Sequence, residues 1–418
     1  MTGRGPRAFS HYTRSVNPVA AHWALDPGVT YLNHGSFGAC PRAVLELQAE
    51  LRRRLEREPF RFLARELEGL LDQAREEVAR FVGADEADLA FMPNATTGVN
   101  TALRAERLGP GDEVLTTDHA YNACRTALEH LAATTGARVV TVPVPFPIPH
   151  EARVVERVLA GVTPRTRLAL LDHVTSATAL VFPIARLVSE LRAAGVETIV
   201  DGAHAPGAVP LDLARIGAAY YAGNAHKWLC APKGAAFLHV RRDRHEGLHP
   251  LTISHGYDAV RPGRSRFRLE FDWTGTCDPT AWLSIPEAIR FLGGLHPGGI
   301  AELMARNREL ALAARGLLLE ALGVEPPCPP SMIGSMASVP LPAAAPGSPV
   351  ARLDHDAVMD LFYERYGIET WLYPWPCAGG KLIRVAAQAY NDEEQFLRLA
   401  LATRELLLGD EEAAGPAA

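Results

Sequence analysis

The sequence predicts an α/β protein in which a large domain, with a mostly parallel sheet between helices, is followed by a smaller α+β domain. Its 418 residues, 48% of them hydrophobic, are enough for a large core and for two domains. In the middle of the chain, short apolar runs alternate with stretches of helical periodicity. After about residue 286 this alternation stops and a long helical stretch follows, which indicates the second domain.

The elements before the alternating part are helical. Apolar residues recur at helical spacing in RAVLELQAELRRRLE, directly after Pro41, and again from Phe62 to Val82. Both stretches are therefore predicted to be amphipathic helices.

Six short apolar runs then predict β-strands, with amphipathic stretches around them. The strands are expected near 113–117, 137–142, 167–174, 197–204, 218–223 and 235–240. The helices are expected at about 96–107, 120–134, 151–160 and 184–194. Such βαβ alternation favours a parallel sheet with both faces covered, and functional residues gather at the carboxyl ends of its strands. His119, Asp201, His204 and Lys227 follow predicted strands.

The last third of the chain predicts a mixture of helices and few strands. A long helix is expected from Ile300 to Leu322, and the Pro/Ala-rich stretch near 325–350 reads as irregular with one short strand. LDHDAVMDLFYERYG is predicted to be helical, KLIRVAAQAY to be a strand, and DEEQFLRLALATRELL to be the last helix. The Trp371–Cys377 segment is predicted to be a loop that, with the Pro/Ala-rich stretch, shapes a substrate pocket.

Composition excludes several function classes. The 42 basic and 48 acidic residues are mixed along the chain and leave a net charge of −6, so neither nucleic acid nor a membrane surface is expected as a partner. The N-terminal segment has no apolar signal-like region, and no run of about 18 apolar residues exists, which makes the cytoplasm the expected location. The six cysteines are scattered, and no disulfide is expected.

One zinc-protease-like motif is set aside. HEGLH at 245–249 has the HExxH spacing, but that chemistry needs both histidines on one helix. Gly247 inside the motif and Pro250 after it disfavour a helix, so a loop with surface histidines and no metal is expected. The chain also has neither a GxxxxGK[ST] nor a GxGxxG motif.

Lysine is rare in this chain, and one lysine stands in a chemically informative position. The three lysines are Lys227, Lys233 and Lys381, and Lys227 follows an apolar strand inside GNAHKW. One βαβ step earlier, a buried-strand pattern in TIVDGAH ends at Asp201. An amine for an imine and an acid for a ring nitrogen are what a pyridine aldehyde cofactor requires. NATTGVN at 94–100 opens a helix whose N-terminus favours a phosphate, although a simple N-cap explains it equally well.

These motifs together resemble the class V aminotransferase family. LNHGSFGACP, NATTGVN, TDHAYNA and GNAHKW look closest to its isopenicillin N epimerase-like branch, which also contains C–S lyases, and the resemblance runs from about Tyr31 to Asn391. It implies the fold type I of pyridoxal-phosphate-dependent transferases, with a seven-stranded sheet, the cofactor pyridoxal 5'-phosphate and a homodimer with the active site at the subunit interface. The implied organisation has an N-terminal segment (1–30) that packs with the small domain, a large domain (31–285), a small domain (286–410) and a disordered tail (411–418).

The resemblance also implies roles for the residues around the cofactor. Lys227 would carry the cofactor and shuttle the proton, Asp201 would pair with the ring nitrogen, and His204 would contact the ring hydroxyl. His119 or Tyr121 would stack on the ring, and the choice between them stays open. The phosphate would be held by Asn94, Thr96, Thr97, Asn224 and His226, with Thr276 reaching the phosphate of the other subunit.

An amino-acid substrate is implied by Arg384, which matches the arginine that grips a substrate carboxylate. His34 and Ser36, in the glycine-rich LNHGSFG segment, are further candidates for substrate binding. Epimerisation would need an acid opposite Lys227, for which His34, His119 and Tyr121 are candidates.

The fate of the reaction stays open at this point. Epimerisation at the α-carbon is the leading hypothesis, with C–S cleavage and transamination as alternatives, and a non-catalytic protein that retains the fold as the contrasting class. Tyr121 could also serve β-elimination. Cys377, near the position of a desulfurase nucleophile, is interpreted as structural.

Overall fold

The computed structural model describes residues 17–348 and 350–408. The first 16 residues of the predicted N-terminal segment and the predicted tail at 411–418 lie outside the described residues. The boundaries proposed at residues 31, 286 and 411 stay predictions.

The described residues form strands, helices and short helical turns. The strands are β1 (Thr30–Tyr31), β2 (Leu89–Met92), β3 (Glu113–Thr117), β4 (Arg138–Val142), β5 (Thr166–Asp172), β6 (Glu197–Gly202), β7 (Tyr220–Asn224), β8 (Ala236–Val240), β9 (Met336–Pro340), β10 (Ile368–Glu369), β11 (Trp371–Pro374) and β12 (Lys381–Ala386). The α-helices are α1 (His34–Phe37), α2 (Arg42–Arg57), α3 (Pro59–Arg61), α4 (Leu67–Val82), α5 (Ala95–Ala105), α6 (Asn122–Thr135), α7 (Ala152–Ala160), α8 (Ile184–Ala193), α9 (Leu213–Ile216), α10 (Arg266–Phe271), α11 (Thr280–Leu283), α12 (Ile285–Gly293), α13 (Gly299–Leu322), α14 (His355–Tyr366) and α15 (Glu393–Leu408). One π turn (Phe62–Glu66) precedes α4, and 3₁₀ turns cover Pro18–His22, Glu86–Asp88, Arg242–Arg244 and Pro330–Met332.

Seven strands form the central sheet, in the order β2-β8-β7-β6-β5-β3-β4. The pairs from β7 to β4 are all parallel, and β8 pairs antiparallel with both β7 and β2. The predicted α/β class with a mostly parallel seven-stranded sheet is confirmed. The sheet puts the carboxyl ends of β5, β6 and β7 side by side, which is where a ligand site is expected in such a fold.

The sheet lies between two apolar layers. Leu170 and Ile199 belong to one buried cluster, and Leu171 and Val200, their neighbours along the strands, belong to the other. Successive side chains of a strand point to opposite faces, so these strands read as continuous apolar runs because both faces are covered.

The sequence missed one strand, and one segment predicted to be a loop is partly a strand. LAFM (β2) was not predicted as a strand, because a run of only four apolar residues is too short to distinguish a strand from a buried helical segment. The Trp371–Cys377 segment is not entirely a loop, since its first four residues pair with β12. The predicted strand KLIRVAAQAY ends at Ala386, where the chain turns.

The C-terminal part has its own three-stranded antiparallel sheet, in the order β11-β12-β9. Helix α13 packs against both α15 and β9. The N-terminal segment meets this part, because β1 pairs with β10 and the Asn17 side chain donates to the backbone oxygen of Ala389 at 2.8 Å. Within the described part of the chain, no helix has the length and apolar character needed to cross a bilayer.

A buried arginine on α4 connects this helix to β2 and to the segment after α10. The Arg75 side chain is 1% exposed, donates to Asp72 at 2.8 Å, pairs with Asp272 and lies over the Phe91 ring. Arg80, one turn later on α4, pairs with Glu76 and Glu77 but is 60% exposed.

Arg75→Ala is expected to lower the free energy of unfolding by about 3–5 kcal/mol, because it leaves the carboxylate of Asp272 buried without its partner. Arg80→Ala should cost less than about 1 kcal/mol, since an exposed pair contributes little. Urea unfolding of both variants measures the difference. Equal losses for the two variants would contradict the structural role of Arg75.

Candidate active site

A cavity opens at the carboxyl ends of β5, β6 and β7 and at the N-terminus of α5. Its lining combines titratable, hydroxyl and amide side chains: Ser36, Phe37, Asn94, Ala95, Thr96, Tyr121, Asp172, Val174, Ser176, Asp201, Ala203, His204, Asn224, His226 and Lys227. Most of the residues predicted for the site therefore meet in one place, although they come from distant parts of the sequence.

Lys227 lies in the turn that follows β7, and its amine reaches into this cavity. The Lys227 Nζ is 3.1 Å from the Nε2 of His204. Burial, together with the nearby charge of Arg384, lowers the pKa of Lys227 to about 7. Near neutral pH such an amine is uncharged in about half of the molecules, so the form that acts as a nucleophile or base is available there.

Asp201 lies at the end of β6, and both of its carboxylate oxygens accept hydrogen bonds. The Cys124 Sγ donates to Oδ2 at 3.0 Å, and the backbone N–H of Ala203 donates to Oδ1 at 2.9 Å. Burial and the charge of Asp201 raise the pKa of the Cys124 thiol, so the thiol keeps its proton and can donate it. Asp201 is thereby held in place at the cavity wall.

His204 is buried and has an unpaired ring nitrogen. Its Nε2 faces Lys227, while its Nδ1 has no hydrogen-bond partner in the described residues. Burial, with the charges of Lys227 and Arg384, holds the pKa of His204 well below its usual range, so the ring is neutral. An unpaired buried polar atom costs free energy, and a bound ligand oxygen would satisfy it.

The start of α5 is organised by two asparagines. The Asn94 Oδ1 accepts from the backbone N–H of Thr97 at 2.8 Å and from its hydroxyl at 3.0 Å. The Asn224 Oδ1 accepts from the backbone N–H of Ala95 at 2.8 Å. Thr96 lines the cavity, whereas Thr97 is engaged with Asn94. A fixed helix N-terminus beside the amine of Lys227 is a suitable place for a phosphate.

His226 lines the same end of the cavity. Its Nδ1 is 3.0 Å from the carbonyl oxygen of Ala235, which can only accept, so Nδ1 donates. Burial lowers the pKa of His226 to about 4, with a smaller contribution from Lys227. The ring is neutral, and it would contact a phosphate as a hydrogen-bonding group rather than as a cation.

Arg384 is a buried cation that has no carboxylate partner in the part of the chain that the structure describes. It is 1% exposed, and its guanidinium donates to Tyr373 Oη at 3.0 Å, Ser36 Oγ at 2.9 Å, and the backbone oxygen of Ser176 at 2.9 Å. Asn33 is a fourth neutral partner, and Nε has none in the described residues. An uncompensated buried charge is unfavourable, so the site has room for an anion such as a carboxylate.

Ser36 and His34 are placed differently by the glycine-rich segment. Ser36 lines the cavity and accepts from Arg384. His34 is completely buried behind it, with Nδ1 2.8 Å from the Tyr390 hydroxyl and Nε2 3.0 Å from the backbone oxygen of Lys227. Burial lowers the pKa of His34 to about 3. This placement favours a structural role for His34 over the predicted substrate contact.

The two candidates for ring stacking, and for an acid, are also separated. The His119 ring is bound on both sides, by Thr178 Oγ1 at 2.7 Å and by the carbonyl oxygen of Val144 at 2.8 Å, and it is not a lining residue. Tyr121 lines the cavity and is 42% exposed. The geometry therefore favours Tyr121 over His119.

Two other predicted positions lie away from the cavity. Thr276 is exposed in the loop before α11. Cys377 lies beyond β11, where its thiol donates to the backbone oxygen of Lys381 at 3.2 Å. In the HEGLH segment, His245 pairs with Asp88 and His249 with Glu270, so the two histidines face different carboxylates.

Sequence reasoning missed Asp172, Ser176 and Tyr373. Asp172 ends β5 directly beside Asp201, while Ser176 and Tyr373 contact Arg384. The signal for Asp172 was present, since it is the acidic end of the predicted strand RLALLDHV. No local pattern marks Ser176 or Tyr373, because their position depends on the packing of β11 against the loop after β5.

The lining of the cavity fits the predicted cofactor. The amine of Lys227 with its lowered pKa, the carboxylate of Asp201, the neutral ring of His204 and the N-terminus of α5 border one cavity. They are the groups required by an aldehyde, a ring nitrogen, a ring hydroxyl and a phosphate, respectively.

Known proteins resemble the chain over most of its length. It is 39% identical over 390 residues to isopenicillin N epimerase of Streptomyces clavuligerus, which covers 90% of this chain and 94% of that protein. It is 32% identical to a probable chloroplastic L-cysteine desulfhydrase of Arabidopsis thaliana, over 90% of this chain and 82% of that protein. The solved structure of the cystine C–S lyase C-DES with cysteine persulfide has a TM-score of 0.74 at 23% identity, and the match covers 90% of this chain and 98% of that one.

The model of the class V aminotransferase family matches residues 38–359. This match and the two relatives confirm the predicted family, its isopenicillin N epimerase-like branch and the fold. Pyridoxal phosphate is confirmed as the cofactor by the same membership. The chain belongs to the class V aminotransferase family.

Proposed function

We propose that this protein epimerises the α-carbon of an amino acid. The observation that carries the proposal is that the Lys227 amine and the Tyr121 hydroxyl, two proton-carrying groups of different kinds, line one cavity. They lie beside the buried Arg384, which has no carboxylate partner among the described residues. The 39% identity to isopenicillin N epimerase supports the same reaction.

The substrate would be bound through its carboxylate at the end of the cavity that lies next to Arg384. The carboxylate would accept from the Arg384 guanidinium, whose position is fixed by Ser36, Ser176 and Tyr373. A bidentate contact between the planar guanidinium and the carboxylate binds the substrate and also orients its α-carbon. Phe37, 64% exposed at the cavity, would cover the substrate from the side of α1.

Proton transfer at the α-carbon falls to two residues. The cofactor, when bound, withdraws electrons from the α-carbon and so makes its proton acidic. The Lys227 amine would take that proton on Nζ, because its lowered pKa makes the uncharged form available near neutral pH. Tyr121 returns a proton from its hydroxyl, and burial raises the pKa of Tyr121, so the hydroxyl is protonated at neutral pH. Return to the opposite face inverts the centre.

C–S cleavage is the second candidate. It uses the same first proton transfer, after which a β-thiolate leaves and needs a proton, and Tyr121 could supply it. The L-cysteine desulfhydrase relative, at 32% identity, favours this reaction. Cys377 does not line the cavity, which disfavours a desulfurase-type cysteine nucleophile.

We also propose that the protein is a cytoplasmic homodimer. The exposed loop with Thr276 and the exposed Phe37 at the cavity are the surfaces that a second subunit would cover. In that arrangement Thr276 would contact the phosphate in the other subunit's site.

The reaction is tested with L-amino acids and cysteine conjugates in heavy water. Deuterium at the α-carbon with loss of chirality is expected for an epimerase. Pyruvate and a released thiol would instead support the lyase, and a keto acid would support transamination.

Lys227→Ala should lose both the visible absorption of the bound cofactor and every product, whereas Lys381→Ala, the matched control, should retain both. A colourless wild-type protein in the presence of cofactor would contradict the whole proposal.

The low pKa of Lys227 predicts how fast the cofactor attaches to cofactor-free protein. The rate should rise as the pH increases through about 7, because the amine loses its proton there, and should level off above about pH 8. An ordinary lysine would continue to gain reactivity up to about pH 10. Stopped-flow absorption measures this, with Nα-acetyl-lysine and the same aldehyde as the reference reaction. A profile that parallels the reference would show that the amine is not perturbed.

Arg384→Lys is expected to raise KM about tenfold or more with a smaller change in kcat, since lysine keeps the charge but loses the fork. Arg308→Lys is the control, because among the described residues Arg308 donates only to the backbone oxygens of Ile333 and Pro330. Steady-state kinetics on the substrate found in heavy water measures both. An unchanged KM would exclude Arg384 from carboxylate binding.

A further inference from the structure

Asp172 is a buried carboxyl group that the proposed reaction does not yet use. It ends β5, and in the parallel register it lies opposite Asp201 on β6. Paired residues of adjacent strands, about 4.8 Å apart, direct their side chains to the same face of the sheet. Asp172 is 4% exposed and, like Asp201, lines the cavity.

The two carboxyl groups differ in their partners. Asp201 receives hydrogen bonds on both oxygens, from Cys124 and Ala203. Asp172 accepts from the backbone N–H of Tyr121, but its Oδ2 is buried with no partner in the described residues. A second aspartate at this edge is not needed for folding alone, since an unpaired buried oxygen is unfavourable.

The charges around Asp172 decide its protonation. Asp201 faces it from β6, the Lys227 amine from the turn after β7, and the Cys124 thiol from α6. Burial raises the pKa of Asp172 well above its ordinary value, and the negative charge of Asp201 raises it further. Two neighbouring buried carboxyls cannot both ionise, and the one with two donors is the better place for the charge.

We propose that Asp172 is a neutral carboxylic acid of the cofactor site and that its Oδ2 hydroxyl donates a hydrogen bond to the cofactor held by Asp201. This rests on the proposed function only for the identity of the acceptor. The two residues then have different roles, because Asp201 supplies a negative charge and Asp172 supplies a hydrogen-bond donor without adding charge.

The protonation of Asp172 is tested by the stability of full-length, cofactor-free protein. A raised folded-state pKa means that stability is present below about pH 4 and is lost as the pH rises toward the folded-state value. Asp172→Asn removes this loss, so its unfolding midpoint should exceed that of the wild type by about 2 °C or more at pH 8, with the gap shrinking toward pH 5. A lower midpoint at pH 8 would show that Asp172 is ionised and stabilised, which overturns the proposal.

The donor role is tested by titrating pyridoxal phosphate into the cofactor-free variants. Asp172→Asn keeps a neutral donor and should bind within about threefold of the wild type. Asp172→Leu removes the donor at similar volume and should bind about tenfold more weakly. Equal weakening in both variants would mean that a charge is required, and no weakening in Asp172→Leu would mean that no hydrogen bond is made. Either result overturns the donor role, while the stability comparison remains valid even if no variant binds the cofactor.

Discussion

The position and the charge of a single amine constrain the rest of the structure. The Lys227 Nζ must be uncharged, and it must lie where the ends of β6 and β7 bring it near Asp201. Its main chain is fixed by two hydrogen bonds to its carbonyl oxygen, from His34 Nε2 and from the backbone N–H of Cys230, each 3.0 Å long. Cys230 has a φ of +57°, an unfavourable value for a residue with a side chain, so the turn is maintained by its surroundings.

The glycine-rich segment supplies much of that support. A Cβ at Gly38, whose φ is +72°, would lie 2.1 Å from the backbone oxygen of His226 and 2.8 Å from that of Lys227, so only glycine permits this approach. His34 joins the lysine turn to Tyr390, and Gln388 reaches the same ring at 3.3 Å. This network is neutral, because burial keeps the pKa of His34 low and that of Tyr390 high.

The sequence was sufficient to predict most of the central sheet and the chemical groups of the site, but not the orientations of the side chains around the cavity. Strands β3 to β8, each five to seven residues long, were predicted from their apolar runs, whereas β2 has only four residues. Lys227 and Asp201 were identified because the spacing of a βαβ unit puts both at one edge of the sheet. His119, Tyr121 and His34 could not be distinguished, since two of them turn toward tertiary partners, Thr178 and Tyr390, that lie 59 and 356 residues away. Asp172 was missed because an acidic residue after a strand is most often a turn residue.

The orientations of these side chains also limit which residue can supply the second proton of the reaction. Epimerisation and C–S cleavage begin with the same transfer of a proton to Lys227, and they differ in the atom that receives the next proton. Both nitrogens of His34 and His119 already have partners, so neither ring is free to deliver one. Tyr121 is the remaining candidate of the three, and its hydroxyl serves either outcome. The choice then depends on the substrate that Arg384 positions: if the side chain has no β-leaving group, C–S cleavage is excluded and the proton of Tyr121 can return to the α-carbon. A β-thiolate would compete for that proton, so specificity for the side chain and specificity for the reaction are one property of this cavity.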